Sequence, residues 1–330
     1  MLFRSIRTKP LAEKALAATR EGKTRIVPAH FEKTWEHWLT EIRDWNVSRQ
    51  LWWGHRIPAW YCPLGHTTVS DRAAGPEGCA ECGAEPDRLT QEPDIFDTWF
   101  SSGLWPFSTL GWPERTADLA RYYPSQVMET GHDILFFWVA RMMMLGIELM
   151  GEPPFETIYL HGMVRDPEGQ KMSKTKGNVV DPLAVIDEIG ADALRFALVS
   201  GTAAGADQRL SGERLEASRN FMNKLWNAAR YVLMSRPPEA NDPRPTAAEA
   251  TAGAGIFGAW LAGRTANAVA EVDRALAGYA FSEAAQRVED AIWSDFCDQA
   301  IELAKVTLAD PARPDKERDR KSTRLNSSHT

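Results

Sequence analysis

Apolar residues recur at helical spacing in two parts of the chain. Near the N-terminus this spacing predicts helices over residues 10–20 and 31–43, because side chains three and four positions apart share one helix face. From about Leu210 onward, a longer stripe at i, i+3, i+4 and i+7 predicts a further helix. Helices over 247–277 and 281–308 follow it after short links. Three antiparallel helices with short links predict a bundle.

The segment between these helical parts has a different pattern. Residues 131–150 are almost continuously apolar, which predicts a buried helix. A short apolar strand at 157–160 is followed by a polar loop at 165–178. Asp181 and Pro182 are then typical of a helix start, with Asp181 as the N-cap and Pro182 in the first turn. A strand, a loop and a helix in this order predict an α/β nucleotide-binding half.

The composition excludes several classes of protein. The chain has 330 residues, of which 44% are hydrophobic, so it can form a sizeable core and is not a disordered chain. Its net charge of −7 gives no overall basic field, although local basic patches can still bind phosphate. No secretory signal is visible, and the apolar run at 134–147 is too short for a membrane span and contains Arg141. We therefore predict a soluble, cytoplasmic protein with no membrane partner.

Three of the four cysteines lie close together, with a histidine among them. Cys62, His66, Cys79 and Cys82 form a four-ligand pattern in a stretch rich in glycine and proline. Zinc favours tetrahedral sulfur and nitrogen ligands, and a C-x-x-C pair supplies two thiolates from one turn. A segment too short for its own core gains order from such an ion, so we predict a structural zinc knuckle. The alternative is a set of reduced surface thiols beside a solvated histidine. Cys297 is expected to be a buried hydrophobic residue.

Three lysines lie within six residues on the polar loop. Lys171, Lys174 and Lys176 are flanked by Gly169 and Gly177, which allow a loop to move. Lysine is a compact, mobile cation that approaches phosphate oxygens from several directions. Such a loop can stabilise the charge on a departing pyrophosphate and can close over a bound substrate. A short basic loop is more often simply solvated, and composition does not decide between the two interpretations.

The same loop resembles a motif of a known family. KMSKT at 171–175 resembles the KMSKS motif of class I aminoacyl-tRNA synthetases, with Thr175 in place of the last serine. The surrounding sequence is similar to the valine branch of that family, with the isoleucine branch as the alternative. Further segments that carry the resemblance are DWNVSRQLWWGHRIPAWYC at 44–62, DIFDTWFSSGLWPFSTLGWP at 94–113, TGHDILFFWVARMM at 130–143 and SRNFMNKLWNAARYVL at 218–233.

The resemblance implies a two-step reaction. Valine attacks the α-phosphate of ATP, which binds together with Mg²⁺, and pyrophosphate leaves. The valyl-adenylate then passes its acyl group to tRNA(Val). The family pattern assigns Lys171 and Lys174 to the charge on the pyrophosphate, and Lys174 to a direct ATP contact. The other implied roles are His161, Gly162 and Met163 at the adenine and its ribose, Gly131 and Asp133 at the adenylate ribose, and Trp99 and Trp138 as walls of the amino-acid pocket.

The resemblance also implies a fold class and a domain order. The fold class is α/β: the second half of a Rossmann-type catalytic domain with a small zinc knuckle, followed by an all-α anticodon-binding helical bundle. Five basic residues early in the bundle are candidate tRNA contacts or a solvated helix face: Arg209, Arg214, Arg219, Lys224 and Arg230. The expected domains are a remnant after the editing insertion at 1–60, the zinc knuckle at 61–90, the catalytic half with the lysine loop at 91–208, an incomplete anticodon-binding bundle at 209–316 and a disordered or non-native tail at 317–330.

One motif of the family is missing from the sequence. Class I synthetases carry His-x-Gly-His in the first half of the catalytic fold, where it binds ATP, and the chain contains no such motif. We therefore expect a central to C-terminal part of a valine-specific synthetase, inactive or nearly so alone, whose full-length parent is a monomer. The alternative is a tRNA-binding module without catalysis. The lysine loop and both pocket tryptophans favour the enzyme.

Overall fold

A computed structural model gives the fold of most of the chain. It describes residues 4–173, 175–235 and 255–308. The chain divides into two units, the first ending at His161 and the second beginning at Gly162. Within those three described ranges, no helix is both long and apolar enough to cross a bilayer.

The first unit combines a central parallel sheet with helices and several short strand pairs. Its strands are β1 (Ser5–Ile6), β2 (Arg25–Val27), β3 (Trp45–Asn46), β4 (Ser48–Arg49), β5 (Ala59–Tyr61), β6 (Thr67–Val69), β7 (Thr90–Gln91), β8 (Ile95–Phe96), β9 (Ser125–Gly131) and β10 (Phe155–His161). Its helices are α1 (Lys9–Arg20), α2 (Glu32–Thr40), α3 (Thr98–Gly103), α4 (Trp105–Ser108), α5 (Ala117–Tyr122) and α6 (Ala140–Met150). The central sheet has the order β2–β10–β9, with every pair parallel.

The core of this unit lies between the central sheet and helices α1, α2 and α6. Ile26, Ile158 and Leu160 project from the sheet into this core and are buried. Burial of one such side chain contributes roughly 1.5–3 kcal/mol, so this layer supplies much of the order of the unit. The helices predicted at 10–20 and 31–43 are confirmed as α1 and α2.

The helix predicted at 131–150 is helical from His132 onward, but it is α-helical only from Ala140. Gly131 is the last residue of β9, and a 3₁₀ turn and a π-helical turn (Leu135–Val139) follow before α6 begins. The prediction is wrong at Gly131, because this residue pairs with His161 of β10, a contact that local periodicity does not reveal. The end is as predicted, since Gly151 stops α6 with φ +86°, a conformation that favours glycine.

The second unit joins a small α/β segment to a helical bundle. Its elements are β11 (Val164–Arg165), α7 (Pro182–Ile189), α8 (Ala191–Val199), β12 (Gln208–Arg209), α9 (Gly212–Ser235), α10 (Gly255–Ala277), α11 (Phe281–Asp290), a π-helical stretch (Ala291–Ile301) and α12 (Glu302–Leu308). Strands β11 and β12 are parallel. Helix α7 starts as predicted, because the Asp181 carboxylate accepts the Leu183 N–H at 3.0 Å.

The predicted three-part bundle is confirmed within the described residues. Helices α9 and α10 pack against the continuous helical run at 281–308. Phe221 of α9 is buried and stacks against Trp293 of that run, with ring centroids 6.2 Å apart. The link predicted within 236–254 and the tail at 317–330 lie outside the described residues.

Candidate functional site

The carboxyl edge of the central sheet brings together three residues predicted to bind nucleotide. Gly131 and His161 are register partners at the ends of β9 and β10, and Asp133 lies in the turn that follows β9. His161 Nε2 lies 3.2 Å from Glu129 Oε1, so a carboxylate orients the ring. Ligands of open α/β sheets bind outside the carboxyl ends of the strands. This edge is therefore the expected binding surface of the first unit.

The backbone at Gly162 and Met163 lies against a second segment of its own unit. A Cβ atom on residue 162 would lie 1.8 Å from the Ala206 carbonyl oxygen, so only glycine fits. The Met163 N–H donates a hydrogen bond of 2.8 Å to Asp207 Oδ1, and Arg165 pairs with the same carboxylate. These contacts fix the backbone of two residues predicted to bind adenine.

The lysine loop is closed at its base by a buried aspartate. Asp166 accepts hydrogen bonds from Asn178 Nδ2 at 2.8 Å and from the Gln170 N–H at 2.6 Å. Asn178 Oδ1 accepts the Ser173 N–H at 2.9 Å. The hydrogen bond from Asn178 is the main cause that holds the pKa of Asp166 below its ordinary value, against the opposing effect of burial. We call the contacts of Asp166 and Asn178 the loop clasp.

The structure describes only the first of the two lysines that the motif assigns to pyrophosphate. Lys171 is exposed and forms a backbone bridge with Arg165. Lys174 lies outside the described residues, so its ATP contact stays a prediction. Gly169 and Gly177 have φ angles of +83° and +69°, so glycine is required for the two turns that flank the loop.

Trp99 and Trp138 lie on two elements that pack against each other. Trp99 is in the first turn of α3, and Trp138 is in the π-helical turn before α6. Trp138 Nε1 donates a hydrogen bond of 3.1 Å to the carbonyl oxygen of Ser102 in α3. Trp99 stacks against Phe137, with ring centroids 6.1 Å apart. Both indoles are half-buried, so each keeps an accessible surface.

A buried charged cluster adjoins these tryptophans, and the sequence-based interpretation missed it. Asp97 Oδ2 accepts hydrogen bonds from Trp45 Nε1 at 2.9 Å and Arg49 Nη2 at 2.7 Å. Arg141 Nη1 lies 3.6 Å from the same oxygen, and its guanidinium is 3.9 Å from the centre of the Trp45 ring. Burial lowers the pKa of Arg141, and the charge of Asp97 opposes that effect. The available signal was Arg141 itself, because a charge inside an apolar run requires a partner.

The predicted zinc ligands converge on one point. The ligand atoms of Cys62, His66, Cys79 and Cys82 all lie within 4.8 Å of one another. The Sγ atoms of Cys62 and Cys82 are 3.8 Å apart, and His66 Nδ1 lies 3.5 Å and 3.9 Å from the Sγ atoms of Cys62 and Cys79. Zinc bonds of about 2.3 Å to sulfur and about 2.0 Å to nitrogen give tetrahedral edges of about 3.8 Å and 3.6 Å. The four residues therefore fit a tetrahedral zinc ion.

The knuckle also favours the ionised form of one ligand. Hydrogen bonds from the backbone of Cys82 and Glu81 lower the pKa of Cys79 to about 6. The thiolate is the form that binds metal. Cys62 directly follows β5, the central strand of a small antiparallel sheet with β6 and β7, so the sheet positions this ligand. Cys297 is buried in the second unit, as predicted.

Comparison with known proteins defines the family. Residues 4–211 match the family model of class I tRNA synthetases (I, L, M and V). The chain belongs to this family. Residues 258–325 match the anticodon-binding domain of tRNA ligases. The class I synthetase fold and the anticodon-binding domain predicted from the sequence are thus confirmed.

Several relatives of this synthetase chain are valine--tRNA ligases. It is 52% identical over 307 residues to that of Dehalococcoides mccartyi and to that of Geobacter sulfurreducens, covering 93% and 92% of this chain. The chain spans about a third, 34%, of the length of both relatives. Its fold is similar to Mycobacterium tuberculosis methionyl-tRNA synthetase in complex with methionyl-adenylate, with a TM-score of 0.71 and 19% identity over 96% of this chain and 55% of that chain. This last likeness concerns the fold alone.

The predicted site residues of the synthetase fold are divided between its units. The first unit contains Trp99, Gly131, Asp133, Trp138 and His161, and the second contains Gly162, Met163 and Lys171. In the first unit, Gly131 pairs with His161, and the element that carries Trp138 packs against the helix that carries Trp99. Their roles in binding nucleotide and amino acid stay predictions.

Proposed function

We propose that the chain supplies the activity of a valine--tRNA ligase, which activates valine with ATP and transfers it to tRNA(Val). The observation that carries the proposal is the 52% identity with valine--tRNA ligases over 93% of the chain. The chain covers only 34% of that relative, so the proposal extends the function of a longer protein to these residues. The chemistry of the described groups supports each part of it.

Nucleotide binding is assigned to the carboxyl edge of the sheet and to the backbone that follows β10. Gly131 and Asp133 hold the adenylate ribose, because a carboxylate accepts hydrogen bonds from ribose hydroxyls. His161, Gly162 and Met163 hold the adenine and its ribose. The paired ends of β9 and β10 support the first assignment, and the close approach of the Gly162 backbone to Ala206 supports the second.

Pyrophosphate departure is assigned to the lysine loop. ATP enters with Mg²⁺, and Lys171 and Lys174 stabilise the charge that develops as the valine carboxylate displaces pyrophosphate. The loop clasp supports this role, since it fixes the base of the loop while Lys171 stays exposed. Removal of a charge that acts only in the transition state lowers kcat by about 10²–10³.

Selection of valine is assigned to the indoles of Trp99 and Trp138. Flat, rigid walls exclude a longer side chain, and their half-buried position supports this role. An apolar pocket does not reject threonine strongly, because threonine is nearly isosteric with valine. We therefore expect this site to discriminate better against isoleucine than against threonine.

A structural zinc ion is assigned to Cys62, His66, Cys79 and Cys82. All four positions of the tetrahedron are occupied by protein ligands, which is typical of a structural site rather than a catalytic one. When bound, the ion supplies positive charge among converging thiolates. The fit of the ligand distances to tetrahedral edges supports the assignment.

Binding of tRNA(Val) is assigned to the helical bundle. Arg219 and Arg230 are exposed on α9 and remain candidates for phosphate contacts. Arg214 is a weaker candidate, because its guanidinium donates to the carbonyl oxygen of Ala197 at 2.9 Å. Lys224 already pairs with Asp298 at 2.8 Å. A cytoplasmic location and a monomeric state belong to the same proposal.

The test is valine-dependent exchange of pyrophosphate into ATP by a chimera, in which this chain replaces the matching third of the Dehalococcoides mccartyi valine--tRNA ligase, because the chain alone is expected to be inactive or nearly so. We expect exchange with valine above that with isoleucine, and loss of about 10²–10³ in kcat in Lys171→Ala. The control is Lys33→Ala, which removes an exposed lysine in the first unit. Exchange that is faster with isoleucine would support the isoleucine branch. Binding of tRNA without any exchange would support a non-catalytic tRNA-binding module.

A further inference from the structure

Helix α3 is attached at both ends to the segment that carries Trp138. At its start, Asp97 Oδ1 accepts the Trp99 N–H at 3.2 Å and so caps the helix. Asp97 Oδ2 lies 3.6 Å from Arg141 Nη1 of α6. At its last turn, the Ser102 carbonyl oxygen accepts the hydrogen bond from Trp138 Nε1. We call these two attachments the α3 clamp.

The packing between the two attachments leaves little room for movement. A Cβ atom on Gly103 would lie 2.8 Å from Leu145 Cδ1 of α6, so α3 approaches α6 as closely as a glycine permits. Between the attachments, the Trp99 ring stacks on Phe137. The position of the Trp99 indole relative to Trp138 is therefore determined by contacts within one unit.

The charged part of the clamp is shielded from solvent. Asp97 is 5% exposed and Arg141 is 9% exposed. The Asp97 carboxylate has three partners on Oδ2, whereas Arg141 has Asp97 as its nearest carboxylate. Loss of Arg141 therefore leaves Asp97 paired with Arg49, and the helix cap survives. Loss of Asp97 removes both the cap and the partner of Arg141.

We infer that Asp97 and Arg141 are positioning residues that set the width of the amino-acid pocket. The inference rests on the proposed function, since it concerns the two indoles assigned to valine selection. Neither residue contacts the substrate in this assignment. Each acts through α3, by holding Trp99 at a fixed separation from Trp138.

Selection between valine and isoleucine depends on that separation. An extra methylene in an apolar pocket is discriminated about 10–200-fold, provided that the walls do not move apart. Without the Arg141 attachment, the first turn of α3 keeps its cap but loses its ion pair to α6. Trp99 can then move, while the last turn of α3 stays held by Trp138 and by the packing of Gly103. We expect the ratio of kcat/KM for valine to that for isoleucine to fall about tenfold.

The experiment compares Arg141→Met with Arg141→Lys and with the matched control Arg121→Met. Methionine keeps much of the apolar volume beside Trp45, lysine keeps the charge toward Asp97, and Arg121 is exposed on α5. The readout is the valine-to-isoleucine ratio of kcat/KM in pyrophosphate exchange. A merely structural defect lowers the active fraction equally for both substrates and leaves this ratio unchanged. We expect a lower ratio in Arg141→Met, partial recovery in Arg141→Lys and no change in Arg121→Met.

Crystal structures of the wild-type chain and Arg141→Met supply a second readout that needs no activity. We expect the Trp99 indole to move away from Trp138 in the variant. Superimposable indoles would overturn the inference, as would an unchanged ratio in a variant that still exchanges pyrophosphate. Absence of exchange in the chimera that carries the wild-type chain would count against the proposed function, and the two crystal structures alone would then test the α3 clamp.

Discussion

The zinc knuckle and the cluster around Asp97 differ in where the charge that balances their polar side chains comes from. In each region, polar side chains from different segments of the first unit converge on one point. At the knuckle, three thiols and an imidazole converge, and all four are metal ligands. At the cluster, one carboxylate meets two guanidinium groups of the same unit, those of Arg49 and Arg141. One region thus carries its own counter-charge, whereas we propose that the other takes up a zinc ion from solution.

Removal of zinc gives the sharpest test of this difference. Structural zinc contributes about 10–16 kcal/mol of apparent binding energy in isolated zinc-finger peptides, so chelation is expected to unfold the knuckle at 61–90. Hydrogen exchange is the measurement, with faster exchange expected in the knuckle and unchanged exchange in α3. Equal acceleration in both regions would contradict the view that only one of them depends on an external cation.

The substitution Asp97→Ala tests the Asp97 cluster, which contains both of its own charge signs. It leaves Arg141 buried without a carboxylate and removes the α3 cap, and breaking a buried pair costs about 3–5 kcal/mol. The measurement is the free energy of unfolding in urea. Glu114→Ala is the matched control, because Glu114 is an exposed acidic residue of the same unit. A loss no larger than that of the control would mean that Asp97 does not organise this region.

Replacing one ligand tests whether the four residues act as a set. Cys82→Ser is expected to weaken zinc binding by more than the roughly 100-fold that follows from loss of an outer-shell partner. The measurement is metal content after dialysis against a competing chelator. Cys297→Ser is the control, because this cysteine lies outside the cluster. Equal zinc content in both variants would argue against a ligand role for Cys82.

The loop clasp provides an intermediate case, since its buried carboxylate is paired with neutral donors. Asp166→Asn replaces an acceptor of two hydrogen bonds by an amide that repels the Asn178 Nδ2 donor, at a cost of about 1–3 kcal/mol. We expect faster tryptic cleavage at Lys171. Asp187→Asn, an exposed acidic residue of the same unit, serves as the control. Unchanged cleavage in Asp166→Asn would mean that the clasp does not restrain the loop.

The smallest expected effect is the pH dependence of the same clasp. The pKa of Asp166 is lower in the folded protein than in the unfolded chain, mainly because Asn178 donates to the carboxylate. Its contribution to stability is therefore present above the unfolded value of about 3.9 and is lost as the pH falls through the folded value. The difference in unfolding free energy between wild type and Asp166→Asn should shrink below about pH 4. A difference that stays constant would contradict this assignment.

The sequence predicted features that depend on neighbours in the chain. The Cys79 and Cys82 pair and the Asp181 cap follow from spacing of a few residues, so local chemistry was sufficient to find them. The Asp97 cluster joins residues about fifty positions apart, for example Trp45 and Asp97, and no local pattern indicates that they meet. The end of β9 was mistaken for helix for the same reason, since its partner strand lies some thirty residues later.

The contact at Gly162 has a consequence for protein engineering. Any side chain at residue 162 displaces the Ala206 carbonyl and the adjoining backbone of Asp207, the residue whose side-chain carboxylate accepts the Met163 N–H. Every substitution of Gly162 is therefore expected to disturb the local backbone. A library designed to test the proposed nucleotide site should keep glycine at 162 and vary His161 and Met163, because the steric limit described for residue 162 arises from a Cβ atom at that position.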